Sequence, residues 1–166
     1  MITGHALRFA VSTWELRRDT ADQEFTRSLL KFHDEDKPSP FDVMDRRMGA
    51  DMAIAKIQEV QAKYNLAIQV NVRGAPMSLA LAVKLLGGAG RTARLWKAAM
   101  ESQASERYGD TGVRATDKIY AVKTVSTDVA MAKIQSSAEY VGALKAAIAE
   151  GNAVPMDLEI DASLLK

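Results

Sequence analysis

No cysteine occurs anywhere in the 166 residues. Disulfides, thiol nucleophiles and thiolate metal sites are therefore excluded, and a disulfide-free chain of this size fits a reducing interior. Histidine is nearly as scarce: His5 and His33 stand near opposite ends of the first helical stretch, so one chain cannot bring both to one site. Charge of one sign is also missing. A net charge of +1 supplies no general field to draw in nucleic acid or an anionic membrane. No uncharged apolar run is long enough to span a bilayer, since the best candidate, residues 74–90, is broken by Pro76 and Lys84. The beginning of the chain, MITGHALRFAVSTWELRR, lacks a basic leader followed by an apolar core and a cleavage site. It reads as mature, non-secreted and cytoplasmic. A nucleophile turn of the GxSxG kind is absent too, and catalysis is not expected.

What remains is 48% hydrophobic residues, enough for a packed core, in a length that suits one domain, residues 1–166. From Thr3 to about Phe32 the residues Leu7, Val11, Trp14, Ala21, Phe25 and Phe32 follow alternating steps of three and four, interrupted at Arg18 and Ser28, a heptad-like seam. A helix of that span is roughly 45 Å long at about 1.5 Å per residue. Asp34-Glu35-Asp36-Lys37-Pro38-Ser39-Pro40 ends it, because a proline inside a helix loses a hydrogen bond. A second helix starts near Phe41. Its apolar stripe begins with Phe41, Met44, Met48 and Met52 and moves to Ile54, Ile57, Tyr64 and Ile68, which predicts a stripe that twists round the helix. Methionines at this spacing read as adaptable core packing.

Ile68, Val70 and Val72 alternate with polar residues as a half-buried strand does, and Arg73-Gly74 supplies a turn. Ser78 caps a third helix whose stripe is Ala82, Leu86, Ala89, Ala93, Trp96 and Met100. Gly87, Gly88 and Gly90 in its middle each cost about 1 kcal/mol relative to alanine. They predict a kink or the close approach of another helix. A phosphate loop is excluded, because Leu85 stands at the first glycine position, Arg91 replaces the lysine, and no strand precedes. ASERYGDTGVRAT (residues 104–116) reads as a polar loop and residues 118–125 as an extended segment. Ser126-Thr127-Asp128 starts a last helix with the stripe Ala130, Ile134, Val141, Leu144 and Ile148, stopping at Gly151-Asn152. Val154, Met156, Leu158 and Ile160 alternate with polar residues as a short strand that should pair near the Ile68–Val72 hairpin, with residues 118–125 at the far pole.

The fold class expected is α+β, mainly α: an elongated antiparallel bundle of about four long helices, with a short β-hairpin and small strands at the ends. The order of parts resembles the septicolysin-like family of small, largely helical bacterial proteins. The resemblance rests on the long first helix, the linker ending in Pro40-Phe41-Asp42, Tyr64-Asn65 leading to Val70-Asn71-Val72-Arg73-Gly74, the helix from Leu79 to Trp96, the start Val125-Ser126-Thr127-Asp128-Val129, and the Asn152 ending. It implies an elongated, oligomeric helical fold, and no catalytic residues that carry over. The family takes its label from a cytolytic toxin, from which this chain departs in having no signal peptide and no membrane-spanning stretch.

Candidate chemistry is sparse. His33 beside Asp34, Glu35 and Asp36 suits a metal ion less well than it suits a solvated helix end, so no metal and no cofactor are expected. Arg91, Arg94 and Lys97 form a basic stripe, with Arg107 nearby in sequence. Its bland reading, pairing with acids of a neighbouring helix, is preferred to phosphate contacts, and nucleic acid is not expected as a partner. Assembly is the sharper expectation. Long amphipathic helices with interrupted heptads bury only part of their apolar area in one thin bundle. A homo-oligomer sealed through Trp14, Met48, Met52, the Gly87, Gly88 and Gly90 notch, Arg91, Arg94 and Trp96 follows. Two rivals compete with it. One is a membrane-active, cytolysin-like protein using residues 79–86 as an amphipathic insertion segment at a membrane surface, without a membrane span; the other is a metal-dependent enzyme using the acidic linker.

Overall fold

A computed structural model describes residues 1–33, 35–102 and 124–166, together with the backbone of residues 106–108 and 118–120. Among the described residues there are four helices, α1 (Gly4–Ser28), α2 (Pro40–Ala67), α3 (Leu79–Glu101) and α4 (Thr127–Ala153), and two antiparallel hairpins. The hairpins are β1 (Gln69–Val72) with β2 (Ala75–Ser78), and β3 (Glu106–Tyr108) with β4 (Lys118–Tyr120). The fold is thus mainly α with small sheets, as expected from the sequence. The chain groups into two compact units, Met1–Leu81 with Ala147–Lys166, and Ala82–Ala146.

In the first unit α1 starts where Thr3 accepts a hydrogen bond from the Ala6 N–H at 3.2 Å. It ends at Ser28, so Phe32 lies outside the helix and is exposed. α2 starts at Pro40 itself. Proline suits a first helical position because its missing N–H would have no partner there, and Ser39 caps the helix by accepting from Phe41 N–H. The two helices run antiparallel, with Arg46 reaching Glu24 at 2.7 Å and Arg47 reaching Asp22 at 2.6 Å. Their seam is Leu7, Ala10 and Ala21 against Val43, Ala50, Ile54, Ile57 and Tyr64, all buried.

β1 and β2 pair Gln69 with Ser78, Val70 with Met77, Asn71 with Pro76 and Val72 with Ala75. Arg73 and Gly74 both take positive φ, 53° and 86°, the two-residue turn whose twist matches a hairpin. Pro76 is tolerated because β2 has no second neighbour that would need its N–H. β2 runs directly into α3, where Ser78 Oγ accepts from Leu81 N–H at 3.2 Å.

Helix α4 does not stop at Gly151-Asn152 but carries both, buried, to Ala153. Gly151 is inside the helix because of what lies against it. A Cβ there would sit 2.6 Å from Val70 Cγ1 and 3.2 Å from Leu79 Cδ1, so the hairpin packs directly on this turn of α4. The tail is not a strand and does not pair with the hairpin. Met156 instead exchanges both backbone hydrogen bonds with Ile2, at 2.7 and 2.8 Å, in a single bridge. A short 3-10 turn, Ala162–Leu165, follows.

In the second unit α3 runs without interruption through its glycines. Within the stretch read as a loop, Glu106–Tyr108 is a strand paired with Lys118–Tyr120. The rest of residues 104–116, and residues 121–123 of the expected extended segment, lie outside the described residues, as does Asp34. Ser126 Oγ accepts from Val129 N–H and caps α4 as expected.

Candidate functional site

α2 carries apolar side chains on two faces. Val43, Ala50, Ile54, Ile57 and Tyr64 recur at helical spacing and are covered by α1 and the rest of the unit. Phe41, Met48, Met52 and Leu66 recur half a turn away and are 81%, 54%, 59% and 66% exposed. Met48 and Met52 are therefore on an outer stripe and not core packing, while Met44 is half-buried. Sequence reading joined the two sets into one twisting stripe because both advance in steps of three or four; read separately, each set keeps one face for the whole length of the helix.

On one side of the α1–α2 pair lies an open groove of about 570 Å³, lined by Trp14, Leu16, Arg17, Thr20, Ala21, Arg46, Gly49 and Ala50. Small side chains at Ala21, Gly49 and Ala50 leave this space. The tail is seated beside it: Trp14 Nε1 donates to Leu164 O at 3.0 Å, and Arg17 donates to Lys166 O at 3.1 Å. Arg17 also lies 4.3 Å over the Trp14 ring, a cation–π contact worth about 0.5–1 kcal/mol at an exposed site. Sequence patterning gave no sign of Arg17, Arg46 or Gly49, since a groove depends on which small residues two helices bring opposite each other.

The 3-10 turn has an acid cap. Asp161 accepts from Ser163 N–H at 2.9 Å, and this bond, with a contribution from the Ser163 hydroxyl, holds the Asp161 carboxyl below its ordinary pKa. A depressed carboxylate stabilises the folded form above its unfolded pKa and loses that contribution as pH falls through the lower, folded value. The turn should therefore loosen on acidification below the ordinary aspartate range. Trp14 fluorescence, which senses the bond to Leu164 O, should report it, and Asp161→Asn should flatten that response.

In the second unit Trp96 is half-buried while Arg91 and Arg94 are exposed. Among the described residues the expected pairing with a neighbouring helix is not seen. Lys97 meets Glu101 on its own helix at 3.7 Å, and among the described residues Arg91 and Arg94 have no acid partner. Among the described residues no heavy atom comes within 4 Å of a Cβ placed at Gly87, Gly88 or Gly90, so no close helix approach is seen there. The Arg107 side chain lies outside the described residues. The structure thus groups Trp14, Met48 and Met52 in one unit, and Gly87, Gly88, Gly90, Arg91, Arg94 and Trp96 in the other.

Of the segment considered for membrane insertion, Leu79 and Ala82 are completely buried. Among the described residues no helix is long and apolar enough to cross a membrane, and no three metal-ligating side chains come together. Compared with known proteins, the chain matches no family model, no curated protein and no solved structure.

Proposed function

We propose that this chain is a non-catalytic, cytoplasmic interaction module that assembles with copies of itself through long amphipathic helices. It has the elongated helical-bundle character of septicolysin-like proteins and needs no cofactor. The observation that carries this reading is the outer face of α2. A soluble helix places its polar residues opposite its seam, and α2 instead places Phe41, Met48, Met52 and Leu66 there. Phe41, Met48 and Met52 span about 17 Å of α2 at ~1.5 Å per residue, and Leu66 follows beyond the exposed Glu59–Lys63 pair, a spacing that suits another helix.

The test is mass in solution. Light scattering across a wide concentration range should give a multiple of the 18.1 kDa chain. Joint replacement Met48→Glu and Met52→Glu should lower that mass and raise the dissociation constant roughly a hundredfold, since each buried unpaired charge at a contact costs more than 1.4 kcal/mol, about one factor of ten. Both positions are exposed, so the helical circular dichroism should stay unchanged. A wild-type chain that remains monomeric at all concentrations overturns the reading.

A further inference from the structure

The tail after α4 follows one line across the first unit. Met156 bridges to Ile2, Leu164 O accepts from Trp14 Nε1, and Lys166 O accepts from Arg17. As the tail's residue numbers rise, so do those of its partners, and the tail therefore runs parallel to α1. Asp161, whose carboxyl is held mainly by the Ser163 N–H, also feels the charge of Lys56 on α2, which puts this line between the two helices. From Ile2 to Arg17 is about 22 Å at ~1.5 Å per residue. Met156 to Lys166 covers it at ~2.2 Å per residue, between helix and strand, as suits an extended run that ends in a 3-10 turn. Beyond Arg17 the groove of about 570 Å³ continues the line. Thr20 and Ala21 are the next positions of α1 along it, and Ala50, Gly49 and Arg46 lie opposite on α2, which runs the other way. The seat of the tail and the open groove are thus one track, half of it filled.

We infer that this track binds an extended apolar peptide of a partner protein, and that the tail is an internal competitor occupying its first half. What fills the track shows what it accepts. The tail leaves Met156, Leu158, Ile160, Leu164 and Leu165 half-buried and is held by Trp14 and Arg17 through its carbonyls. Those contacts need a peptide backbone and no particular side chain. They are also few: among the described residues four hydrogen bonds tie residues 155–166 to α1 and its start, and a segment held so sparsely opens at low cost. A partner entering the track gains the open half as well. From Trp14 to Ala21 is about 10 Å at ~1.5 Å per residue, the length of about three extended residues at ~3.3 Å each. Apolar residues suit it, because its floor is Ala21, Gly49 and Ala50 and Arg46 is already held by Glu24 at 2.7 Å. A tethered tail competes at an effective concentration of about millimolar, so the partner binds weakly until the tail is displaced. The track is a different surface from the outer stripe of α2, and it does not depend on self-assembly.

Fluorescence anisotropy of labelled synthetic peptides on the full chain tests this. One peptide is VPMDLEIDASLLK, the sequence of residues 154–166; the other continues it with Leu-Ala-Leu. Ile160→Asp with Leu164→Asp loosens the tail at half-buried positions outside the α1–α2 seam, and unchanged helical circular dichroism shows that the fold is kept. Should that pair lose helix, Asp161→Ala loosens the tail more gently by removing the cap of its 3-10 turn. The loosened chain should bind the longer peptide roughly tenfold more tightly than wild type does, as the tethered competitor is lost. It should also bind the longer peptide roughly tenfold more tightly than the shorter, the effect of burying one added leucine. Gly49→Leu fills the open half, at a position with nothing within 4 Å of its Cβ. It should erase the difference between the peptides and leave the affinity for the shorter one unchanged. No binding to a folded, loosened chain overturns the inference, and so does equal binding by wild type and loosened chain. A longer peptide with no advantage, or one whose advantage survives Gly49→Leu, overturns it too, because the groove is then no part of the track. If loosening instead doubles the mass in sedimentation equilibrium and excludes both peptides, the track belongs to a second copy and the partner-protein inference falls.

Discussion

Replacing Tyr64 by alanine should cost the protein about 4 kcal/mol, the range for removing a large aromatic from a core. A domain has only about 5–15 kcal/mol to lose. Tyr64 is fully buried, and its hydroxyl lies 2.7 Å from Gly151 O and 2.6 Å from Val154 O. One side chain of α2 therefore closes the end of α4 and the start of the tail. A cavity would be left, and Gly151 O would keep only the Val154 N–H while Val154 O lost the hydroxyl beside it, so urea denaturation followed by circular dichroism should show a much lower midpoint. Tyr64→Phe separates the two contributions. It keeps the ring and removes the hydrogen bond, and about 2 kcal/mol should be lost, the scale for stranding a buried polar group. A neutral Tyr64→Phe would mean that the ring alone holds this junction.

Gly4→Ala is expected to cost about 3 kcal/mol, at the upper end of overpacking effects. A methyl group at this position would fall on Asn152 Oδ1, 2.9 Å from Tyr64 Cε1 and 3.1 Å from Asn152 Cα. Asn152 has little freedom to move, because its Nδ2 donates to Ile148 O at 2.7 Å and the residue is buried. Among the described residues its Oδ1 has no hydrogen-bond partner, and Gly4 lies directly against it. Gly49→Ala is the matching control. It lies in α2 with nothing within 4 Å of its Cβ, and should instead stabilise by roughly 0.5–1 kcal/mol, the ordinary helix preference for alanine. Thermal denaturation of the two variants should move in opposite directions; the same sign for both would sink the packing explanation of Gly4.

The elements that local chemistry decides were legible in the sequence. Thr3, Ser78 and Ser126 cap helices as expected from their hydroxyls, and Arg73-Gly74 makes the hairpin turn. Contacts between elements far apart in the chain were not legible. Gly151 looked like a helix stop because glycine commonly ends helices, yet it is helical here since Val70 and Leu79 leave no room for a side chain. The tail alternated as a strand does, but alternation marks one covered face and does not name a ladder partner. Its inner residues, Leu158 and Ile160, are half-buried without pairing. For the candidate surfaces, the residue types were visible and the faces were not. Met48 and Met52 were picked out from the sequence, but whether they pointed inward depended on which stripe of α2 received α1.

The Ile2–Met156 bridge sets an order of events during synthesis. Its two halves lie far apart in the sequence, and the cost of bringing them together rises with the length of the intervening loop. α1 and α2, joined by a short connection, are free to zip together while the ribosome is still reading the remainder. Tyr64 and Gly4 must then wait, with their binding partners unmade, until the end of α4 has emerged. A nascent chain arrested before residue 151 would accordingly display a half-finished surface at one end of the α1–α2 pair, the kind of site a chaperone grips or a protease samples first.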